Sequence, residues 1–217
     1  MKKAKETIFL IYSIMKLYYL QFLLFVSMLV NIPANQIAAQ ETEPDILKYY
    51  EIMNSFKEER DSILNSKIGT PFVSFDLTDL TGKQFTQKHL MGKVTLINFW
   101  FRACAPCIAE FDDLNDLYND FKDNPDFQFL SITRDEPEDI EKSIKKYNLP
   151  YTIISTSDKE CRRLQHFEIG GYPFTIIVDK QGKIRLIHGG SSLEKEKITT
   201  LIETYKQEIL KLLDEEI

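Results

Sequence analysis

Apolar residues change their spacing several times along the chain, and each change predicts an element. From Asp45 to Leu64, Ile46, Tyr49, Tyr50, Met53, Phe56, Ile63 and Leu64 recur at roughly helical spacing among Lys, Glu and Arg, which predicts a helix ahead of the main domain. In GTPFVSFDLTDLTGKQFT, Phe72, Val73, Phe75 and Leu77 precede a turn at Thr81 and Gly82, with Phe85 beyond it; this is the pattern of a short hairpin. VTLINFW, Val94 to Trp100, is nearly continuously apolar and predicts a central strand buried on both faces. Ala109, Phe111, Leu114, Leu117, Tyr118 and Phe121 then fit a helix, FQFLSIT a second strand and PEDIEKSIKKYNL a second helix. PFTIIVDKQGKIRLIH supplies two strands joined by a turn at Gln181 and Gly182. SSLE opens the last helix with a capping box from Ser191 to Glu194, and Ile198, Leu201, Ile202, Tyr205, Ile209 and Leu212 give it an apolar face. Alternating strands and helices with a late antiparallel hairpin predict an α/β fold, its central mixed sheet covered by helices on both faces.

The first 39 residues follow another rule. Lys2, Lys3, Lys5 and Lys16 precede an apolar run from Leu17 to Val30, followed by the small residues of QIAAQ. This is the pattern of a secretory leader cleaved after Ala39, the run being short for a spanning anchor by the roughly 20-residue criterion. A start at Met15 would give a more compact leader. The expected organisation is a signal peptide over 1–39, a helical extension over 40–67 and the main domain over 68–217. Without residues 1–39 the chain carries 23 basic and 32 acidic side chains, a net charge of −9, which disfavours nucleic acid as a partner. An extracytoplasmic location, periplasmic in a cell with two membranes, also changes how cysteines read, because there a thiol pair either oxidises or is kept reduced actively.

Two of the three cysteines stand in NFWFRACAPCIAE, separated by Ala105 and Pro106. A strand that ends in CxxC and turns straight into a helix places Cys104 at the helix N-terminus, where unpaired amides and the helix dipole stabilise a thiolate. Cys104 is thus expected to be the acidic, exposed nucleophile, and Cys107, one turn in, the more buried resolving thiol. Pro106 suits a first helical turn that needs no amide donor. Zinc would need further ligands at close spacing, whereas His89, His166 and His188 are scattered. Cys161, in DKECRRLQHF, reads as a small, partly buried residue on a helix.

INFWFRACAPC, Glu110 three residues after the second cysteine, GYPFTIIVDKQGKI and the lead-in DLTGKQF with LMGK together resemble the thioredoxin superfamily, and within it the TlpA/ResA-like extracytoplasmic thiol-disulfide oxidoreductases, over about Ile68 to Leu213. The resemblance implies a thioredoxin fold and protein disulfides as substrates, with no cofactor beyond the redox-active disulfide of Cys104 and Cys107. Pro173 matches the family's cis-proline, which lies against the cysteines, and Tyr172 before it is expected to touch substrate. Glu110 matches an acidic residue that tunes the thiols and can take the proton from Cys107. Trp100, core to the site, and Arg102, whose charge can lower the Cys104 pKa, complete the substrate-side candidates. Two departures stand out: Ala103 replaces the family's usual Trp, and Asn98 stands where cytoplasmic thioredoxins carry a buried Asp.

Reduction is the direction that the resemblance implies, in cytochrome c maturation or general thiol repair, and it requires a membrane electron donor because the compartment is oxidising. An isomerase or oxidase differs only in redox poise. A non-catalytic module stapled by the disulfide is the rival from another class. A peroxiredoxin would carry Thr or Ser three residues before the reactive cysteine, where this chain has Phe101. The sequence sets no oligomeric state.

Overall fold

The computed structural model describes residue 21 and residues 43–165 and 171–216. The leader expected over 1–39, with its alternative start at Met15, lies outside the described residues except for Gln21, and so does His166. No helix among the described residues is long and apolar enough to cross a membrane. The chain divides into two units, Met1–Arg60 and Asp61–Ile217. Helix α1, Glu43–Asn65, is the one its apolar spacing predicts; in the first unit Tyr49, Tyr50, Met53 and Phe56 are exposed on it.

The second unit carries the predicted hairpin, β1 (Asp76–Thr78) antiparallel to β2 (Gln84–Thr86). Its turn is held by Asp79, whose Oδ1 accepts from the amides of Thr81 and Lys83, and by Gly82 at φ 88°, a conformation that costs a residue without Cβ little. Then follow β3 (Val94–Trp100), α2 (Ala105–Phe121), β4 (Phe127–Thr133), α3 (Pro137–Tyr147), β5 (Thr152–Ser155), α4 (Asp158–Leu164), β6 (Phe174–Val178), β7 (Ile184–Gly189) and α5 (Lys195–Asp214).

The five-stranded sheet has the order β5-β4-β3-β6-β7. β3, β4 and β5 run parallel, joined by crossovers through α2 and α3, as parallel pairing demands. β6 runs antiparallel to β3 and to β7. The continuous apolar run of β3 is explained by its central place, since all seven residues are buried while alternating between two cores. Val94, Leu96 and Trp100 join α2, α5 and Ile140 of α3 in one core. Ile97 and Phe99 join Phe72, Phe75, Leu77, Phe85 and the α4 residues Cys161 and Leu164 in the other. Helices therefore dominate one face, whereas the other is closed largely by the hairpin and its approach.

The capping box expected from Ser191 to Glu194 does not form. The helix starts later, with Glu194 itself the N-cap of α5, its own backbone extended and without a side-chain cap, and the Ser192 hydroxyl accepts from the Glu194 amide instead.

Candidate functional site

The site forms where β3 ends against α2. Cys104 is the N-cap of α2, with extended backbone at φ −89° and ψ 98°, and Pro106 occupies the first turn. Cys104 and Cys107 form a disulfide with 5.3 Å between their Cα atoms. The Cys107 amide donates to Cys104 Sγ at 3.2 Å, and the Ile108 amide to the Cys104 carbonyl at 3.0 Å. An N–H aimed at sulfur, at the positive end of a 17-residue helix, favours negative charge on that sulfur. The exposure expected of Cys104 is a point of correction: in the disulfide form it is 4% exposed and Cys107 1%, because both sulfurs turn into the core beside Trp100 and Phe111.

Glu110 lies one helical turn beyond Cys107 and is 1% exposed, with no hydrogen-bond partner for either carboxylate oxygen. Burial pushes its carboxyl up to about 7; the Ser191 hydroxyl beside it pulls against that rise, and the Asp113 charge adds to it. Burial, reinforced by the Glu110 charge, raises the phenols of Tyr151 and Tyr205. Tyr151 Oη is likewise buried without a partner. Tyr151 and Ser191 were not foreseen as neighbours of Glu110: they come from the start of β5 and the loop before α5, and no local spacing ties them to the cysteines. Asn98 is buried below and donates to Thr175 Oγ1 of β6 at 3.1 Å.

The Tyr172–Pro173 peptide is cis. The Tyr172 ring meets Phe101 edge-on at 5.2 Å, and the Arg134 guanidinium lies over both rings, 4.4 Å from Phe101 and 5.2 Å from Tyr172. Arg134 also pairs with Asp158 at 2.8 Å. The segment before Cys104 and the segment before Pro173 are thus clamped by one cation, which sequence reasoning missed because Arg134 follows β4, distant from both. Cys161 is fully buried in α4 rather than partly so, and burial pushes its thiol up to about 11.

Two candidates are placed otherwise than expected of substrate contacts. Trp100 is fully enclosed, its Nε1 donating to Ser131 Oγ at 2.6 Å and its ring edge-on to Phe111 at 5.2 Å, so it supports the pair from within and offers no surface to a substrate. Arg102 is exposed, but its guanidinium turns to Asp139 at 3.1 Å while its amide donates to Asp135 Oδ2 at 2.5 Å.

Residues 68–187 match the AhpC/TSA family. The thiol-disulfide oxidoreductase ResA of Geobacillus kaustophilus is 29% identical over 158 residues, covering 72% of this chain and 87% of that one. ResA of Bacillus cereus is 32% identical over 119 residues, covering 54% and 67%. Among solved structures, the thioredoxin domain of a thiol-disulfide oxidoreductase from Bacteroides vulgatus matches with a TM-score of 0.52 at 26% identity, over 64% of this chain and 96% of that one.

Proposed function

The chain belongs to the AhpC/TSA family, as a TlpA/ResA-like member of the thioredoxin superfamily, and from that premise we propose that it is an exported reductant of protein disulfides. It is a thiol-disulfide oxidoreductase with the thioredoxin fold. The observation that carries the exchange chemistry is the Cys104 sulfur at the N-terminus of α2, receiving the Cys107 amide and bonded to the Cys107 sulfur; the reductive direction is proposed from the TlpA/ResA-like family membership.

From the reduced state, Cys104 thiolate attacks one sulfur of a substrate disulfide; the Cys104–substrate S–S bond forms, the substrate bond breaks, and the other substrate sulfur leaves as thiolate. Cys107 then loses its proton to Glu110 and attacks Cys104 Sγ, which closes the Cys104–Cys107 disulfide and expels the second substrate sulfur. The substrate gains two electrons, and protons from solvent and Glu110 complete its two thiols. A carboxylate with its pKa near neutrality suits that transfer, accepting the proton and returning it at the pH of the compartment. Backbone beside Pro173 pairs with the substrate chain and Tyr172 flanks it. The two sulfurs carry the electron pair, so no prosthetic group enters. Regeneration falls to the dithiol of a membrane donor, since an oxidising compartment cannot supply it. The basic, apolar leader pattern supports export.

The test is the reduction potential of the Cys104 and Cys107 pair, read by equilibrating the chain in thiol buffers and counting alkylated cysteines. A value near or below roughly −270 mV is expected, as for thioredoxin, whereas one above about −180 mV overturns the reductant in favour of an isomerase or oxidase. Loss of all exchange in Cys104→Ser is expected alongside; exchange that persists without this thiol defeats the assigned chemistry.

A further inference from the structure

A cleft of about 160 Å³ has Arg102, two residues before Cys104, as one wall, and Asp139, Lys142, Ser143, Lys146 and Tyr147 as the rest. The last five recur along α3 at helical spacing and so share one face of it. Three cations and one carboxylate line the space. Asp139 is held twice, by Arg102 Nε at 3.1 Å and by Lys142 Nζ at 2.7 Å. Lys146 has no carboxylate partner among the described residues and lies 4.8 Å from the Tyr147 ring centroid. The cleft therefore keeps an excess of positive charge on a chain whose net charge is −6. Its Tyr147 ring packs on Phe111 at 5.2 Å, and Phe111 on Trp100 at 5.2 Å, so the same aromatic layer backs the cleft and the disulfide.

Resting on the reading of the chain as a disulfide reductant, we propose that this cleft is an anion subsite that receives an acidic side chain of the substrate segment flanking the disulfide to be reduced. A space of this size holds about five waters at roughly 30 Å³ each, enough for the head of one Glu or Asp. The Arg102 fork can take a carboxylate through two parallel N–H donors, and Lys142 and Lys146 add point charges. Asp139 already shows that a carboxylate fits between Arg102 and Lys142, and exposed pairs of this kind exchange partners at little cost. The subsite would favour substrates whose cysteine is flanked by acidic residues.

The experiment compares two disulfide-bonded peptides, alike except that the cysteines are flanked by Glu in one and by Gln in the other. Each is reduced by the full chain after prereduction and removal of reductant. The Glu peptide is expected to react roughly tenfold faster at low ionic strength, an advantage that added salt erodes. That ratio should fall to within about twofold in the Lys142→Ala/Lys146→Ala double variant, and Lys146→Glu should shift the preference toward a Lys-flanked peptide. Lys83→Ala, in the hairpin turn, retains the wild-type ratio. Cysteine-free versions of the Glu and Gln peptides are titrated in parallel while the amide resonances of Arg102 and Tyr147 are followed. Equal rates for the two peptides with equal titrations overturn the subsite and leave the reductant reading standing. Reduction of neither peptide, with the Glu version alone shifting Arg102 and Tyr147, overturns the reductant reading and upholds the subsite.

Discussion

A carboxyl buried without a partner is costly to ionise, and Glu110 has neither a hydrogen bond nor solvent. Its protonated form persists to about pH 7 against an ordinary 4.5, so between those values the folded chain keeps a proton that the unfolded chain gives up. The stability contributed by the neutral carboxyl is whole below pH 4.5, is lost as the pH rises, and is gone above about 7. The shift corresponds to about 3 kcal/mol. Glu110→Gln, which cannot ionise, is therefore expected to gain about that much stability over wild type at pH 8 relative to pH 4, read from urea melts at both. A difference independent of pH would show that Glu110 titrates normally. Cys104 and Cys107 were legible because a CxxC at the end of a strand is a property of sequence, and Glu110 was legible only through the family resemblance. The burial of Glu110 was not, since it depends on Tyr151, Ser191 and Tyr205 from other elements. Trp100 was legible as core, and its enclosure follows from its place in a strand buried on both faces.

The split of the β3 side chains between two cores separates elements that hold the site from elements that only hold the fold. Phe111 of α2 touches both Trp100 and Tyr147 on the site's face, whereas Phe85 of β2 is buried in the opposite core. Truncating either to Ala should cost about 3–5 kcal/mol of stability. Only Phe111→Ala is expected to change the chemistry as well, slowing disulfide exchange severalfold at temperatures where both variants remain folded. If Phe85→Ala slows exchange as much, the two cores are coupled and the separation fails. The strands and helices with long, consistent patterns were legible: β3, β4, α2 and the β6–β7 pair. β5 escaped notice because its four residues have no partner run across a tight turn, unlike the three-residue strands β1 and β2, and α4 was legible only as the helix around Cys161. The start of α5 differs from the expectation because SSLE has the composition of a capping box while the helix begins only after Glu194, its N-cap.

For the molecule as a whole, redox state and folding form one thermodynamic cycle. If folding lowers the potential of the cysteine pair, the oxidised chain must be more stable than the reduced one, by about 1.4 kcal/mol for each 30 mV. Two features of the site act on that balance in opposite directions. The Cys107 amide and the N-terminus of α2 stabilise a Cys104 thiolate and so favour the reduced form. Against this, reduction places charge in a pair that is 1–4% exposed, with an acidic group one helical turn away, and both the burial and the carboxylate, once ionised, disfavour a thiolate there. A reductant requires the second effect to dominate. The oxidised chain is accordingly expected to unfold at a higher urea concentration than the reduced chain at pH 8, where Glu110 is ionised, with a smaller gap at pH 6, where it is mostly neutral. Melts of both redox forms at the two pH values decide it. A reduced chain that outlasts the oxidised one would place the stabilising energy on the thiol side and make the protein a disulfide donor.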